Sequence, residues 1–271
     1  GVGDTVSGDS AETLQDLVNA APDGKETVIK LEKHVKLDSA LRIPAGKMIK
    51  ITSDEPYTVL AKKGSGVSAL VNVAERASLE LSGKVSLRGR YNKGAIISSK
   101  GAVVLSDEAV VYDGTASNVN TGVVDVSGDK ASLTMTGGVI EQCELKDAYC
   151  GTVHAKDGAH VVMKGGVIRK NHVDSSTDGD GNYLSSTGVM LMGNAGFDMS
   201  GGSIEDNAGY QGGAVVMYSE VRNQRASFEM TGGQLVRNKG YKLGNRTPSG
   251  AVHVEGNAEF TLKGGKIEDN I

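Results

Sequence analysis

The stretch GGSIEDNAGYQGGAVVM, residues 201–217, holds two phrases that recur along the chain. The first runs from an apolar segment through G-G-x-I/L-x-x-N: LTMTGGVIEQC (133–143), VVMKGGVIRKN (161–171), FDMSGGSIEDN (197–207), FEMTGGQLVRN (228–238) and FTLKGGKIEDN (260–270). The second is a short segment after glycine: GAIIS (94–98), GVVDV (122–126), GTVHA (151–155), GVMLM (188–192), GAVVM (213–217) and GAVHV (250–254). Between them lies a turn ending in alanine, at Ala77, Ala102, Ala131, Ala159, Ala195, Ala226 and Ala258, with successive alanines 25 to 36 residues apart. A period in this range marks a chain of stacked supersecondary units.

Each unit reads as strands. Val215 and Met217 alternate with Ala214 and Val216, Phe197 and Met199 alternate with Asp198 and Ser200, and Ile204 is followed by polar Glu205 and Asp206. A period of two, broken by Gly, Asn and Asp, is a strand signal. Three short strands per unit, stacked, predict an all-β chain: a parallel β-helix of about seven or more coils, right-handed because parallel crossovers almost always are. Before the repeats, Leu14, Leu17 and Val18 fall at helical spacing behind Ser10, a residue suited to N-capping. A short helix over about residues 10–21 would cover the open end of the core. We therefore expect one continuous domain, with a cap and first irregular coils over 1–62 and regular repeats over 63–271. The chain stops at KIEDNI inside the repeat pattern, so a monomeric piece of a longer chain is expected.

The alternation and the G-G-x-I-x-x-N phrase resemble the right-handed parallel β-helix proteins of the pectate-lyase-like superfamily, particularly repeat-bearing surface proteins of Gram-positive bacteria. The resemblance covers about residues 60–271. It implies a secreted or cell-surface module, extracellular in location, but the superfamily holds lyases, glycoside hydrolases and adhesins alike, so it implies no single activity.

Composition narrows the partners. A formal net charge of -4 without a Lys/Arg block argues against nucleic acid. No segment approaches the roughly 18 consecutive apolar residues of a membrane-spanning helix, so no membrane insertion is expected. With 38 glycines, no Trp and only 3 Phe, the core must be built from Val, Ile, Leu, Met and Ala. Met135, Met163, Met199 and Met230, continued by Leu262, form one inward column of core filler. Asn171, Asn207, Asn238 and Asn270 share one repeat position, with Cys143 in the same register, and predict an amide ladder. Cys143 and Cys150 enclose a loop that a disulfide could close.

Alternation sets the candidate site. In the second phrase the second and fourth residues after Gly point inward, including Met190 and Met192. The first and third then point outward: Ala95/Ile97, Val123/Asp125, Thr152/His154, Val189/Leu191, Ala214/Val216 and Ala251/His253. So apolar an outward face calls for a cover or a ligand. The segments leading into it each carry a tyrosine: Tyr91, Tyr112, Tyr149, Tyr183, Tyr210 and Tyr241. The rings either fold down as a lid or line a cleft suited to sugar. Tyr149, Tyr183, Tyr210, Tyr241, His154 and His253 are the ligand-binding candidates, toward a glycan or a host or cell-surface partner.

Asp125 and His154 fall in one outward column on neighbouring strands, about 4.8 Å apart, and are candidates for acid/base chemistry or for a plain surface pair. In NHVDSSTDGDGNYLSST (171–187), Asp178 and Asp180 are catalytic candidates, and with Asp174 they could hold calcium, the one cofactor the sequence allows for. The run departs from a calcium loop at Tyr183 and at Val189. Three functions follow as expectations: adhesion or glycan binding without chemistry; a glycoside hydrolase or polysaccharide lyase; and a structural spacer. The absence of Arg or Lys among the outward residues above counts against the lyase.

Overall fold

The computed structural model describes residues 5–8, 10–118, 120–146, 149–173, 184–242 and 248–271. Among these residues there is one helix, Ala11–Ala20, and the rest of the regular structure is parallel strand in three sheets of 10, 13 and 9 strands. The chain visits the sheets in turn. Gly151–Lys156 lies in the 13-stranded sheet, His160–Met163 in the 10-stranded sheet and Val167–Arg169 in the 9-stranded sheet, before the chain returns to the 13-stranded sheet in His172–Val173 and Ser185–Met192. All-parallel sheets stacked in this way are compatible with a parallel β-helix or solenoid.

The helix sits where the spacing placed it. Ser10 Oγ accepts from the Thr13 backbone N–H at 3.2 Å, capping the first turn, and Leu14 and Val18 are fully buried. Gln15 binds the Arg42 backbone at both its N–H and its carbonyl, which ties the helix to the strand Leu41–Ile43.

Parallel pairing stacks each side chain on its repeat equivalent. Met135, Met163, Met199 and Met230 are register partners in the 10-stranded sheet and are buried, as is expected of core filler. In the same sheet all three phenylalanines stack, Phe197 on Phe228 with ring centroids 4.6 Å apart and Phe228 on Phe260 at 4.9 Å. Gly101, not Ala102, occupies the register of Ala131, since Ala102 pairs with Ser132. A Cβ at Gly101 would fall 2.3 Å from the Ala77 carbonyl oxygen, so only glycine fits there.

The segments leading into the candidate face also contain strand. Thr115–Ala116, Glu144–Leu145, His172–Val173, Ala208–Gly212 and Lys239–Tyr241 pair in parallel with one another. Their two- to five-residue lengths are too short for a period-two pattern to show.

The asparagine ladder forms as expected. Asn171 Nδ2 donates to Asn207 Oδ1 at 3.0 Å, Asn207 Nδ2 to Asn238 Oδ1 at 3.0 Å, and Asn238 Nδ2 to Asn270 Oδ1 at 2.9 Å. Each Oδ1 also accepts the backbone N–H one unit back, from Cys143, Asn171, Asn207 and Asn238 in turn. Each Nδ2 has a second acceptor in a carbonyl of the preceding unit, at Ile140, Ile168, Ile204 and Leu235. The residue before each ladder position is left-handed, with φ of 54 or 55° at Gln142, Lys170, Asp206, Arg237 and Asp269. That turn aims the following amide inward. Asp206, beside the ladder, is held below the usual carboxylate range by its hydrogen bonds to Arg237 at 2.8 and 2.9 Å.

Replacing Asn207 with Leu removes four hydrogen bonds and leaves the buried Asn171 N–H of the preceding unit without its acceptor. A loss of about 2–4 kcal/mol is expected, read from the urea midpoint, with the exposed Asn257→Leu as a control expected to cost less than about 1 kcal/mol.

Candidate functional site

The strands Gly122–Ser127, Gly151–Lys156, Ser185–Met192, Val215–Ser219 and Val252–Gly256 lie side by side in the 13-stranded sheet. Register places Ser98, Asp125, His154, Met190, Val216 and His253 in one column. This corrects the expected faces at two phrases. Ile97 pairs with Val124 and belongs to the core, leaving Ser98 beside Asp125. Between Gly151 and Val153 the register shifts, so that Gly151 partners Ser186 while Val153 partners Val189. The slip turns Val189 and Leu191 into the core and Met190 and Met192 away from it, the reverse of the alternation counted from Gly188.

The apolar face is covered. Leu184, Met190 and Val216 are fully buried in a small cluster apart from the main core, with Tyr149, Met192 and Tyr218 packed against it. Val123 and Ala214 are in the main core, and Thr152 is fully buried.

Of the six tyrosines, the five among the described residues do not converge. Tyr149 packs on this cluster, its ring 5.4 Å from that of Tyr218. Tyr210 and Tyr241 pair edge to face at 6.4 Å, with Tyr210 packed on the main core. Tyr91 packs on the core beside Arg90, and Tyr112 ends a strand of the 9-stranded sheet with the Arg88 guanidinium 5.5 Å above its ring. Tyr183, Asp174, Asp178 and Asp180 lie outside the described residues, so neither the carboxylate pair nor the calcium set is placed. The tyrosine that sequence reasoning missed is Tyr218. It stands two residues beyond Val216, on the same face, directly after the quoted repeat phrase.

Asp125 and His154 meet as the column required. His154 Nδ1 lies 3.0 Å from Asp125 Oδ1, and Lys156 Nζ is 3.6 Å from Asp125 Oδ2. Lys156 is thus a cation on this face that the five-residue phrase cut off. His154 Nε2 lies 3.2 Å from Met192 Sδ. The His154 side chain is 0% exposed, and burial pushes its pKa below the ordinary histidine value against the opposing pull of Asp125. In the neutral ring Nδ1–H donates to Asp125, and the Nε2 lone pair faces a thioether that has no hydrogen to give. Such a ring, sealed behind Met192, is a poor proton shuttle but a preformed electron-pair donor. His253, on the last strand of the column, faces Glu255 Oε2 at 3.2 Å.

Next to this pair is a cleft of about 280 Å³ lined by Asn120, Lys156, Asp157, Met192, Tyr218, Glu220, Val221 and Gln224. Burial and the hydrogen bond to Glu220 push the Tyr218 phenol above its ordinary range, so it stays a neutral donor. Among the described residues no group of three or more His, Cys, Asp or Glu is placed to hold a metal.

No disulfide joins the two cysteines. Cys143 Sγ, at the head of the asparagine ladder, donates to the Glu141 carbonyl at 3.3 Å, and Cys150 Sγ to the Asn118 carbonyl at 3.1 Å. Burial pushes the Cys143 thiol up to about 12. Short sequence separation suggested the bridge, whereas the ladder register turns Cys143 inward.

Comparison with protein-family models, with curated proteins and with solved structures returned no match.

Two outcomes are expected. Because His154 is harder to protonate folded than unfolded, the unfolded chain binds more protons just below the ordinary histidine pKa of about 6.5. Its contribution to stability is therefore complete above that pH and declines as pH falls below it. Urea midpoints of the parent should show this decline, and those of His154→Gln a flatter profile. A thiol reagent should label neither cysteine in the native chain and both after denaturation without reductant; labelling that requires reductant would restore the disulfide.

Proposed function

We propose that this chain is a right-handed parallel β-helix module of the pectate-lyase-like type, with three strands per coil and about seven or more coils, that works at a bacterial cell surface or outside the cell. Its function is to bind a glycan in the cleft beside Tyr218. The observation that carries this reading is the cleft lining: the Tyr218 ring and Met192 offer an apolar surface, ringed by Asn120, Lys156, Asp157, Glu220 and Gln224. A sugar ring presents the matching pattern of apolar face and hydroxyl edges. The volume, about 280 Å³, lies just below the ~300–1,000 Å³ typical of small-molecule sites and suits one or two sugar units. Tyr149, in contact with Tyr218, holds the wall upright. Tyr183, Tyr210, Tyr241, His154 and His253 remain proposed contributors to recognition, and calcium at Asp174, Asp178 and Asp180 a proposed support for the loop over 171–187.

A second reading, glycoside hydrolysis, has its own support in Asp157 and Glu220, two carboxylates lining the same cleft. Such pairs serve as acid and base or nucleophile.

A glycan array with the full chain, followed by calorimetry on the hits, tests both. Tyr218→Ala should weaken binding at least about tenfold, an effect of about 1.4 kcal/mol, while Tyr112→Ala, on another sheet, should leave it unchanged. Binding that ignores Tyr218 sinks the cleft reading. Turnover of a bound glycan that disappears in both Asp157→Asn and Glu220→Gln would replace it with the hydrolase.

A further inference from the structure

We infer that His154, Met192 and Met190 form a binding site for a soft monovalent cation of the Cu(I) class on the outward face of the 13-stranded sheet. The inference is independent of glycan binding.

Three observations converge on it. First, His154 Nε2 and Met192 Sδ stand 3.2 Å apart. Bond lengths of about 2.1 Å to an imidazole nitrogen and about 2.3 Å to sulfur, those of zinc sites, let one metal reach both donors at that spacing in a bent geometry. Second, His154 is oriented like a metal ligand. Its Nδ1 is engaged by Asp125 at 3.0 Å, which leaves Nε2 as the donor, and a carboxylate behind an imidazole is the usual support of a metal-bound histidine. The fully buried ring aims that nitrogen at an atom that cannot donate to it, so without a cation its electron pair has no partner. Third, the register slip puts a second thioether beside the first. Met190 is the direct strand partner of His154, and Met190 and Met192, two residues apart, share the outward face while Val189 and Leu191 fill the core.

The donor set selects the cation. Two thioethers and one imidazole suit Cu(I) or its redox-inert mimic Ag(I). Calcium and magnesium take oxygen ligands, and the nearby carboxylate of Asp125 is already bound to Nδ1 and to Lys156. All three donors are neutral, so binding expels no proton from the site. Met192 lines the cleft, so a cation from solvent meets this thioether first and reaches Nε2 when the Met192 side chain swings aside. The buried methionine column of the core, Met135, Met163, Met199 and Met230, has no histidine beside it and should take up none.

The chain of residues 1–271, labelled with 13C in its methionine methyls, is titrated with Ag(I) in chloride-free buffer and followed by NMR. The Met190 and Met192 methyl signals should shift together and saturate at one equivalent, while those of the core methionines Met135, Met163, Met199, Met217 and Met230 stay in place. Met192→Leu, a volume-conserving change at a half-buried position, should lower the affinity read at the Met190 methyl by at least about tenfold, and His154→Gln likewise. Because silver also binds thiols, the titration is repeated in Cys143→Ala and Cys150→Ala, where the same shifts should persist. Silver uptake at the cysteines alone, with the Met190 and Met192 methyls unmoved, overturns the proposal. So does an affinity at Met190 that neither variant changes.

Discussion

In-register parallel pairing governs this molecule. Neighbouring strands stand about 4.8 Å apart, so each residue lies almost directly over its equivalent one unit away and must be able to stack on it. Apolar positions meet the constraint easily, as the methionine and phenylalanine columns do. Polar positions inside the corner meet it only if the group can donate upward and accept downward. The asparagine amide can, and the 2.9–3.0 Å links from Asn171 to Asn270 are the result. Cys143 occupies the same register but cannot continue the chain of amides. The ladder ends there, with the Cys143 N–H donating to Asn171 and its thiol to a carbonyl.

Where the register slips, chemistry becomes possible. A shift of one residue exchanges the two faces of a strand, and the shift between Gly151 and Val153 does this to Met190 and Met192. It sets two thioethers next to the Asp125–His154 pair, on a face that regular repetition would have filled with Val189 and Leu191. The covering cluster, the cleft and the tyrosine pair all gather around this one irregularity. A solenoid repeats its scaffold and places its particular features where the repetition breaks.

The scaffold was legible because repetition multiplies a weak signal. A single G-G-x-I-x-x-N proves little, but its recurrence with Asn at 171, 207, 238 and 270 reveals the ladder, and Leu14 and Val18 behind Ser10 reveal the helix. The site was legible only in part. Asp125 and His154 could be paired from column membership because both follow their glycines by three residues. Tyr218 and Lys156 lay just past the phrase boundary, and Tyr112 and Tyr210 shared a loop position in the sequence without sharing a surface. Counting from glycine failed at Gly94 and Gly188, where the glycine is not the register equivalent of its counterparts. Counting to alanine failed once, at Ala102.

The sequence alone determined the periodic part of this protein: strand alternation, the inward methionine column, the amide ladder and the helix Ala11–Ala20. These depend on intervals between residues, and intervals are written in the chain. The tertiary structure decided which face each residue of an irregular unit presents, which tyrosines share a surface, and that Cys143 and Cys150 remain apart. Those outcomes depend on register, and register is set by how one unit sits on the next, an energy of packing summed over the whole stack and carried by no local interval.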